Sequence, residues 1–383
     1  MSEVAIVGIG MHEFGRHDGV SGMQQGAVAV RRACSDAGIE WKDVQFAVGG
    51  SMAAGAPDTM VSQLGLTGLQ FINVMNGCAT GGSALFSAYN TIVSGAYDLG
   101  IAIGFDKHER GAFRISAGGS GRKRRDWYGG SGLALTTQFF GMKINRYMQE
   151  YGISQQSLAR VAAKAFYNGS LNPMAWRRKA LTEEEVLASP MLSHPLTQYM
   201  FCSPGEGGVA LLLARADQAH RYTDKPIFLR AAIVRSRRFG SFEVLAPSLA
   251  LEHGAGPTID ASKAAFEVAG IGPDDVDLAQ LQDTETGAEI MHMAENGFCE
   301  HGQQEHMLEK GETAIAGRFP VNTDGGCLAN GEPVGASGLR QVYENVLQLR
   351  GDAGKRQVPG KPRVAYTHVY GAPGISGVNI LCR

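Results

Sequence analysis

Cys78 stands in the run Asn76-Gly77-Cys78-Ala79-Thr80-Gly81-Gly82-Ser83, directly after an apolar stretch (FINVM) and directly before another (SALFSAYNTIV). A thiol between the end of a strand and the start of a helix sits among free backbone N–H groups, which favour its thiolate. The small residues after it let a substrate come close. A covalent nucleophile needs this setting, and it also needs a base. Glu332, in Gly331-Glu332-Pro333, is the candidate. A desolvated pocket would raise its pKa toward neutrality and fit it for proton transfer; its other reading is a carboxylate capping a helix start. His368 and Tyr370 are two residues apart, so a strand places both on one face. Each can donate a proton or a hydrogen bond, or simply pack at the strand end.

Two internal repeats explain why Cys78 and Glu332 belong together. Residues 31–48 (RRACSDAGIEWKDVQFAV) resemble residues 263–280 (KAAFEVAGIGPDDVDLAQ), with Ala37-Gly38-Ile39 and Asp43-Val44 matching Ala269-Gly270-Ile271 and Asp275-Val276 at a constant offset of 232. Each reads as a helix stopped at a glycine, then a turn into a strand. Residues 77–85 (GCATGGSAL) match residues 331–339 (GEPVGASGL) at an offset of 254, and each opens an apolar helix. Duplicated halves related by an approximate two-fold axis would bring Cys78 and Glu332 to facing helix starts.

The surrounding pattern alternates strands and helices, which points to α/β layers. Strands are predicted near 3–9, 44–50, 71–75, 98–104, 208–214, 227–235, 276–282, 363–369 and 376–382. Helices are predicted over 23–37, 83–95, 133–151, 155–168, 259–269, 286–296 and 336–349. Residues 107–200 separate the repeated parts as an inserted lid or loop region, and 296–318 read as a polar surface loop. His301 and His306 in that stretch have no metal-ligand partners at convincing spacing, and no metal site is expected.

Composition narrows the function classes. The chain has 383 residues, 44% hydrophobic and 19% charged, with net charge −2. That argues against a nucleic-acid binder, which carries a basic excess. Six scattered cysteines form no CxxC pair, so neither a zinc site nor a disulfide framework is expected, and a reduced, cytoplasmic setting fits. The opening MSEVAIVGIG lacks a basic leader and reads as a first strand. No run reaches the ~18 apolar residues of a membrane span.

At these residues a family becomes recognisable. NGCATGGSAL resembles the nucleophile segment of thiolases, and NTDGGCLANGEPVGASG resembles their Asn…Gly-Gly…Gly-His-Pro…Gly-Ala-Ser-Gly segment. The opening VAIVGIGMHEFGRH, the stretch SLNPMAWRRKALTEEEVLASPMLSHPLTQYMFCSPGEGGVALLLA and ENGFCEHG resemble the sterol-carrier-protein and lipid-transfer-protein branch. The resemblance runs along nearly the whole chain. It implies the thiolase fold, with two βαβαβαββ halves (1–225, including the insertion at about 107–200, and 226–383) in a five-layer αβαβα arrangement. It also implies a dimer, coenzyme A thioester substrates, and a small companion subunit with a zinc ribbon and an OB-fold.

In thiolases a cysteine takes the acyl group, the histidine of Gly-His-Pro activates it, and a second cysteine near the C-terminus handles the α-proton. Here Cys78 matches, but Glu332 replaces the histidine. Gln282-Asp283-Thr284-Glu285 replaces the branch's His-Asp-Cys-Phe, and no second cysteine accompanies His368 and Tyr370. Basic and aromatic residues of the inserted region, Arg122, Arg124, Arg125 and Trp127, are expected to hold the coenzyme A phosphates and adenine. Arg177 and Arg178 beside Trp176 are weaker candidates of the same kind. Asp283, Gly335 and Ser337, on the matching motifs, are the other expected cofactor contacts. The leading expectation is an atypical thiolase cleaving or forming a β-ketoacyl-CoA through acyl-Cys78, with a bulky acyl group. The alternatives are a coenzyme A-dependent retro-aldolase on a β-hydroxyacyl-CoA of the steroid side-chain type, and a non-catalytic thiolase-like subunit.

Overall fold

A computed structural model describes residues 3–113, 133, 135–238, 256–372 and 374–383. Its strands are β1 (Val4–Gly15), β2 (Phe46–Gly50), β3 (Gln70–Val74), β4 (Leu99–Lys107), β5 (Met191–Ser193), β6 (Leu196–Thr197), β7 (Glu206–Arg215), β8 (Ile227–Ser236), β9 (Leu278–Leu281), β10 (Val364–Gly371) and β11 (Ile375–Cys382). Its helices are α1 (Gly22–Asp36), α2 (Val61–Leu64), α3 (Thr80–Val93), α4 (Thr136–Tyr151), α5 (Gln155–Ser170), α6 (Glu183–Leu187), α7 (Pro257–Ala269), α8 (Thr286–Glu295), α9 (Gln304–Glu309), α10 (Gly326–Asn330) and α11 (Ser337–Arg350).

The strand order β3-β2-β4-β7-β1-β8-β11-β10-β9 reads the same from both ends. β2 runs parallel to β3 and β4, while β4–β7 and β7–β1 are antiparallel. In the second half β9 is parallel to β10, β10–β11 and β11–β8 are antiparallel, and Val321 bridges Ala279 in parallel where a β3 counterpart belongs. The centre of the palindrome is the short antiparallel join of Val4–Ile6 to Ile227–Leu229. Gly38 and Gly270, matched at offset 232, end α1 and α7 with φ of 66° and 65°. Both positions demand the left-handed conformation that glycine adopts cheaply.

Layering follows from which faces are apolar. α1 covers β1, β4 and β7 from outside, and α7 covers β8 and β11. Between the half-sheets lie α3 and α11, which pack on each other and touch strands of both halves. The central strands are buried on both faces and therefore read as continuous apolar runs. One core joins the halves, including Ile6, Phe46, Leu85 and Leu211 from the first and Leu278, Leu339, Val342 and Leu381 from the second. The seam is tight. A Cβ on Gly104 would lie 2.0 Å from the carbonyl oxygen of Gly335, so β4 and the segment before α11 meet backbone to backbone.

Within the insertion at 107–200, the helices predicted over 133–151 and 155–168 form as α4 and α5, and with α6 they bury Phe139, Ile144, Leu158 and Val186 against Ile290, Leu328 and Tyr370 of the second half. One expectation needs correction, the polar surface loop at 296–318. Residues 296–318 hold α9 and bury Gln304, Met307, Leu308 and Thr313. A helix of six residues is too short for its apolar period to stand out in sequence.

Candidate active site

The turn between β3 and α3 carries Cys78. Gly77 has φ 54°. Thr80 Oγ1 donates to the Gly77 carbonyl at 2.6 Å and accepts the Asn76 N–H at 2.8 Å, and Asn76 Nδ2 donates to Ser83 Oγ at 2.8 Å. The end of β10 clamps the turn from the other side: a Cβ on Gly371 would meet the Asn76 carbonyl at 2.3 Å. Within this frame Cys78 is half-buried.

Glu332 is fully buried in the link between α10 and α11. Its N–H donates to Ser203 O at 2.9 Å, and its own carbonyl accepts from Gly205 N–H at 3.3 Å. Gln282 Nε2 donates to Oε1 at 2.8 Å and Cys202 Sγ donates to Oε2 at 3.3 Å. The Cys78 thiol lies near enough to this carboxylate for its charge to push the thiol's pKa up. The two segments matched at offset 254 therefore lie side by side, and a Cβ on Gly81 would lie 3.2 Å from the Gly335 carbonyl oxygen. Helix capping is not Glu332's role, since α11 starts at Ser337 with no side-chain cap.

The thiol differs from the sequence expectation. Burial first, and then the charge of Glu332, push Cys78 well above the ordinary thiol range. A helix start contributes about 0.3–2 kcal/mol to an anion, and here desolvation and a like charge outweigh it. A thiol raised in this way is activated by proton transfer to a base and not as a standing thiolate.

Two further cysteines complete the cluster. Cys202 and Cys327 are buried, and burial is the largest cause holding both thiols well above their usual range. Cys327 Sγ lies 3.8 Å from Gln282 Nε2 and 3.8 Å from Arg340 Nη2. The available signal for Cys202 was its place in a motif-bearing run, FCSPGEGG; nothing in the spacing tied it to Glu332.

Several expected residues sit elsewhere. His368 is fully buried, 3.1 Å from Thr258 Oγ1 through Nε2, with its ring 4.4 Å from that of His292. Burial, then His292 and Lys143, depress its pKa far below the usual imidazole value. The ring is packed between Thr258 and His292. Tyr370 instead lines a cavity of about 470 Å³ with Lys143, Tyr147, Thr258, Met291 and Glu295. Lys143 Nζ lies 5.0 Å from the centre of its ring. His301 also lines this cavity, bonded to Tyr147 Oη at 2.8 Å, so it is more than a loop residue. Cys78 is not in the described wall; the link is Gly371, which follows Tyr370 and clamps the nucleophile turn.

Two neighbouring carboxyls titrate unusually. Asp283 caps α10, accepting N–H groups from Cys327 at 2.6 Å and Leu328 at 3.3 Å, and burial pushes its pKa to about 8. Glu285 caps α8 through the Gly287 N–H, and burial pushes it too to about 8. A carboxyl raised on folding binds a proton that the unfolded chain has released. Its stabilisation is full below the unfolded pKa and is lost as pH rises through the folded one. The melting temperature should therefore fall between about pH 5 and about pH 9, and Glu285→Gln should flatten that slope. A slope unchanged in the variant would show that Glu285 is ionised throughout.

The thiolase N-terminal domain family matches residues 4–184, and the thiolase C-terminal domain-like family matches residues 249–382. An acetyl-CoA acetyltransferase of Methanothermobacter thermautotrophicus is 33% identical, with 100% of each chain covered. The chain belongs to the thiolase family. Sterol carrier protein 2 of Bos taurus is 30% identical over 97% of this chain and 71% of its own length, which places the thiolase in the sterol-carrier branch. A solved Ltp2-ChsH2(DUF35) aldolase superimposes with TM-score 0.87 at 25% identity, covering 100% of this chain and 98% of that one. The thiolase is an acyltransferase.

Its expected cofactor contacts fare unevenly. Asp283 is spent on α10, as above. Gly335 lies in the seam between the halves, donating its N–H to Asp106 Oδ2 at 2.7 Å, and Ser337 is fully buried beside it. Gly335 sits where the backbones of the two halves touch. Arg177 turns inward, donating to Ser203 Oγ at 2.7 Å and Leu328 O at 3.2 Å, while Arg178 is exposed. Arg122, Arg124, Arg125 and Trp127 lie outside the described residues.

Proposed function

We propose that this thiolase cleaves, or in reverse forms, a carbon–carbon bond in a β-ketoacyl-CoA through an acyl-Cys78 intermediate. The observation that carries this reading is the buried carboxylate of Glu332 beside Cys78, near enough for its charge to raise the thiol's pKa. As the sulfur attacks the β-carbonyl, its proton passes to Glu332. The Cα–Cβ bond then breaks, and the departing thioester enolate takes a proton at carbon from a second acid. Coenzyme A thiol finally gives its proton to the conjugate base of that acid and attacks the acyl carbon, and the released Cys78 sulfur recovers its proton from Glu332. The cavity beside Tyr370, walled by Met142, Met291, Tyr147 and Tyr151, supports a bulky acyl group. The basic residues at 122–125 and Trp127 remain the proposed contacts for the nucleotide.

A dimer formed along β3 fits this reading, because that edge strand is largely exposed and flanked by Met75 at 65% and Leu66 at 86% exposure. The likeness to the Ltp2-ChsH2(DUF35) aldolase supports a small companion subunit, proposed to carry a zinc ribbon and an OB-fold. A cytoplasmic location is consistent with cysteines that are scattered and form no CxxC pair. Among the described residues no helix is long and apolar enough to cross a membrane. The same aldolase favours a second reading, retro-aldol cleavage of a β-hydroxyacyl-CoA, in which Glu332 takes the hydroxyl proton and Cys78 stays free.

The test is to quench the protein with acid during turnover of an acyl-CoA and map the acyl group by peptide mass. The expected result is a single acyl group on the peptide containing Cys78. Turnover with Cys78 unmodified at every quench time would reject the thiolase reading in favour of the aldolase one.

A further inference from the structure

We infer that Cys202 is the second proton-transfer group of this thiolase, taking the place of the C-terminal cysteine that the chain lacks. The inference rests on the acyl-Cys78 reading. Its basis is geometric: Cys202 Sγ donates to the buried Glu332 carboxylate at 3.3 Å from Oε2, and the same carboxylate lies near enough to Cys78 to raise that thiol's pKa. The two thiols lie near enough to one another, and to that carboxylate, to influence each other's protonation.

The backbone fixes Cys202 there. Its N–H donates to Thr284 O at 2.9 Å, and Phe201 bridges Glu285, so the segment is sewn to the Gln282–Glu285 turn that also supplies Gln282 to Glu332. Other candidates are worse placed. Cys327 contacts Gln282, Arg340 and Asp283, not the Glu332 carboxylate, and His368 is bonded to Thr258. Burial keeps the Cys202 thiol protonated at rest, the form in which it can donate.

The proton balance closes in the synthetic direction. Cys78 sulfur bonds to the acyl carbon, and its proton goes to Glu332. The bond from acyl carbon to coenzyme A sulfur breaks, and that sulfur takes the Cys202 proton and leaves as a thiol. Cys202, now a thiolate, removes the α-proton of a second acyl-CoA. The resulting carbanion attacks acyl-Cys78, and the released Cys78 sulfur recovers its proton from Glu332. Every group returns to its starting state without an external reagent.

The experiment compares two acyl donors, acetyl-CoA and 4-nitrothiophenyl acetate, by the rate of Cys78 acetylation. The second donor has a leaving thiolate stable enough to depart without a proton. Cys202→Ala and Cys202→Ser should each slow acetylation from acetyl-CoA about 100-fold, the lower range for a lost general acid. Both should leave acetylation from the nitrothiophenyl donor nearly unchanged. Serine keeps the size and the hydrogen bond to Glu332, so recovery of the acetyl-CoA rate in Cys202→Ser would reduce Cys202 to a positioning residue and overturn the inference. Equal losses on both donors, or none, would overturn it too. Wild-type protein that takes acetyl from neither donor would instead sink the acyl-Cys78 reading, and this inference with it.

Discussion

Cys78→Ala is expected to lower the turnover number for β-ketoacyl-CoA cleavage by on the order of 10⁶-fold, the scale seen when a covalent nucleophile is removed from a site otherwise intact. The residue is half-buried, and its turn is held by Thr80, Asn76 and Gly371, none of which uses the sulfur. The fold and the thioester pocket should therefore persist, and KM should change little while kcat collapses. Product analysis by chromatography, with a melting curve as control, reads both. The variant also separates the two proposed reactions. A retro-aldolase uses Glu332 as its base and needs no sulfur, so it keeps much of its rate on a β-hydroxyacyl-CoA. Full activity of Cys78→Ala on a β-ketoacyl-CoA would remove the covalent mechanism.

The juxtaposition of Cys78 and Glu332 was legible before any coordinates because it follows from duplication. A motif repeated at offset 254 must fall on related sides of a pseudo-two-fold axis, and the palindromic strand order supplies that axis. The strands were legible because burial on both faces leaves an apolar run with no alternation to obscure it. What stayed hidden was anything set by desolvation. Cys78 looks like a helix-start thiolate until the buried Glu332 and its own burial are weighed. Asp283 carries a motif position yet spends its carboxylate on α10. Gly335 and Ser337 are matched to the family pattern because two backbones must touch there. Cys202 lies 130 residues from Glu332 with no spacing rule to connect them. The short α9 was hidden for a different reason, since six residues give too little periodicity.

Glu332→Gln is the second large effect, and its two readouts move in opposite directions. The amide cannot accept the Cys78 proton, so turnover should fall about 10²–10⁴-fold, the usual range for a lost general base. Gln282 Nε2 and the Cys202 thiol both donate to the native carboxylate. An amide has one acceptor oxygen, and its NH₂ would face a donor, so about 1–3 kcal/mol of stability should go as well. The thiol itself should become easier to alkylate. Burial is the largest cause of its raised pKa, and the Glu332 charge comes next. Removing that charge lowers the pKa part of the way back, so at about pH 8 the thiolate fraction rises and iodoacetamide reacts faster at Cys78. Slower catalysis with faster alkylation means the carboxylate is there to move a proton, at the expense of a standing thiolate. If both rates fell together, Glu332 would be holding Cys78 in place, and the base would have to be sought among other groups.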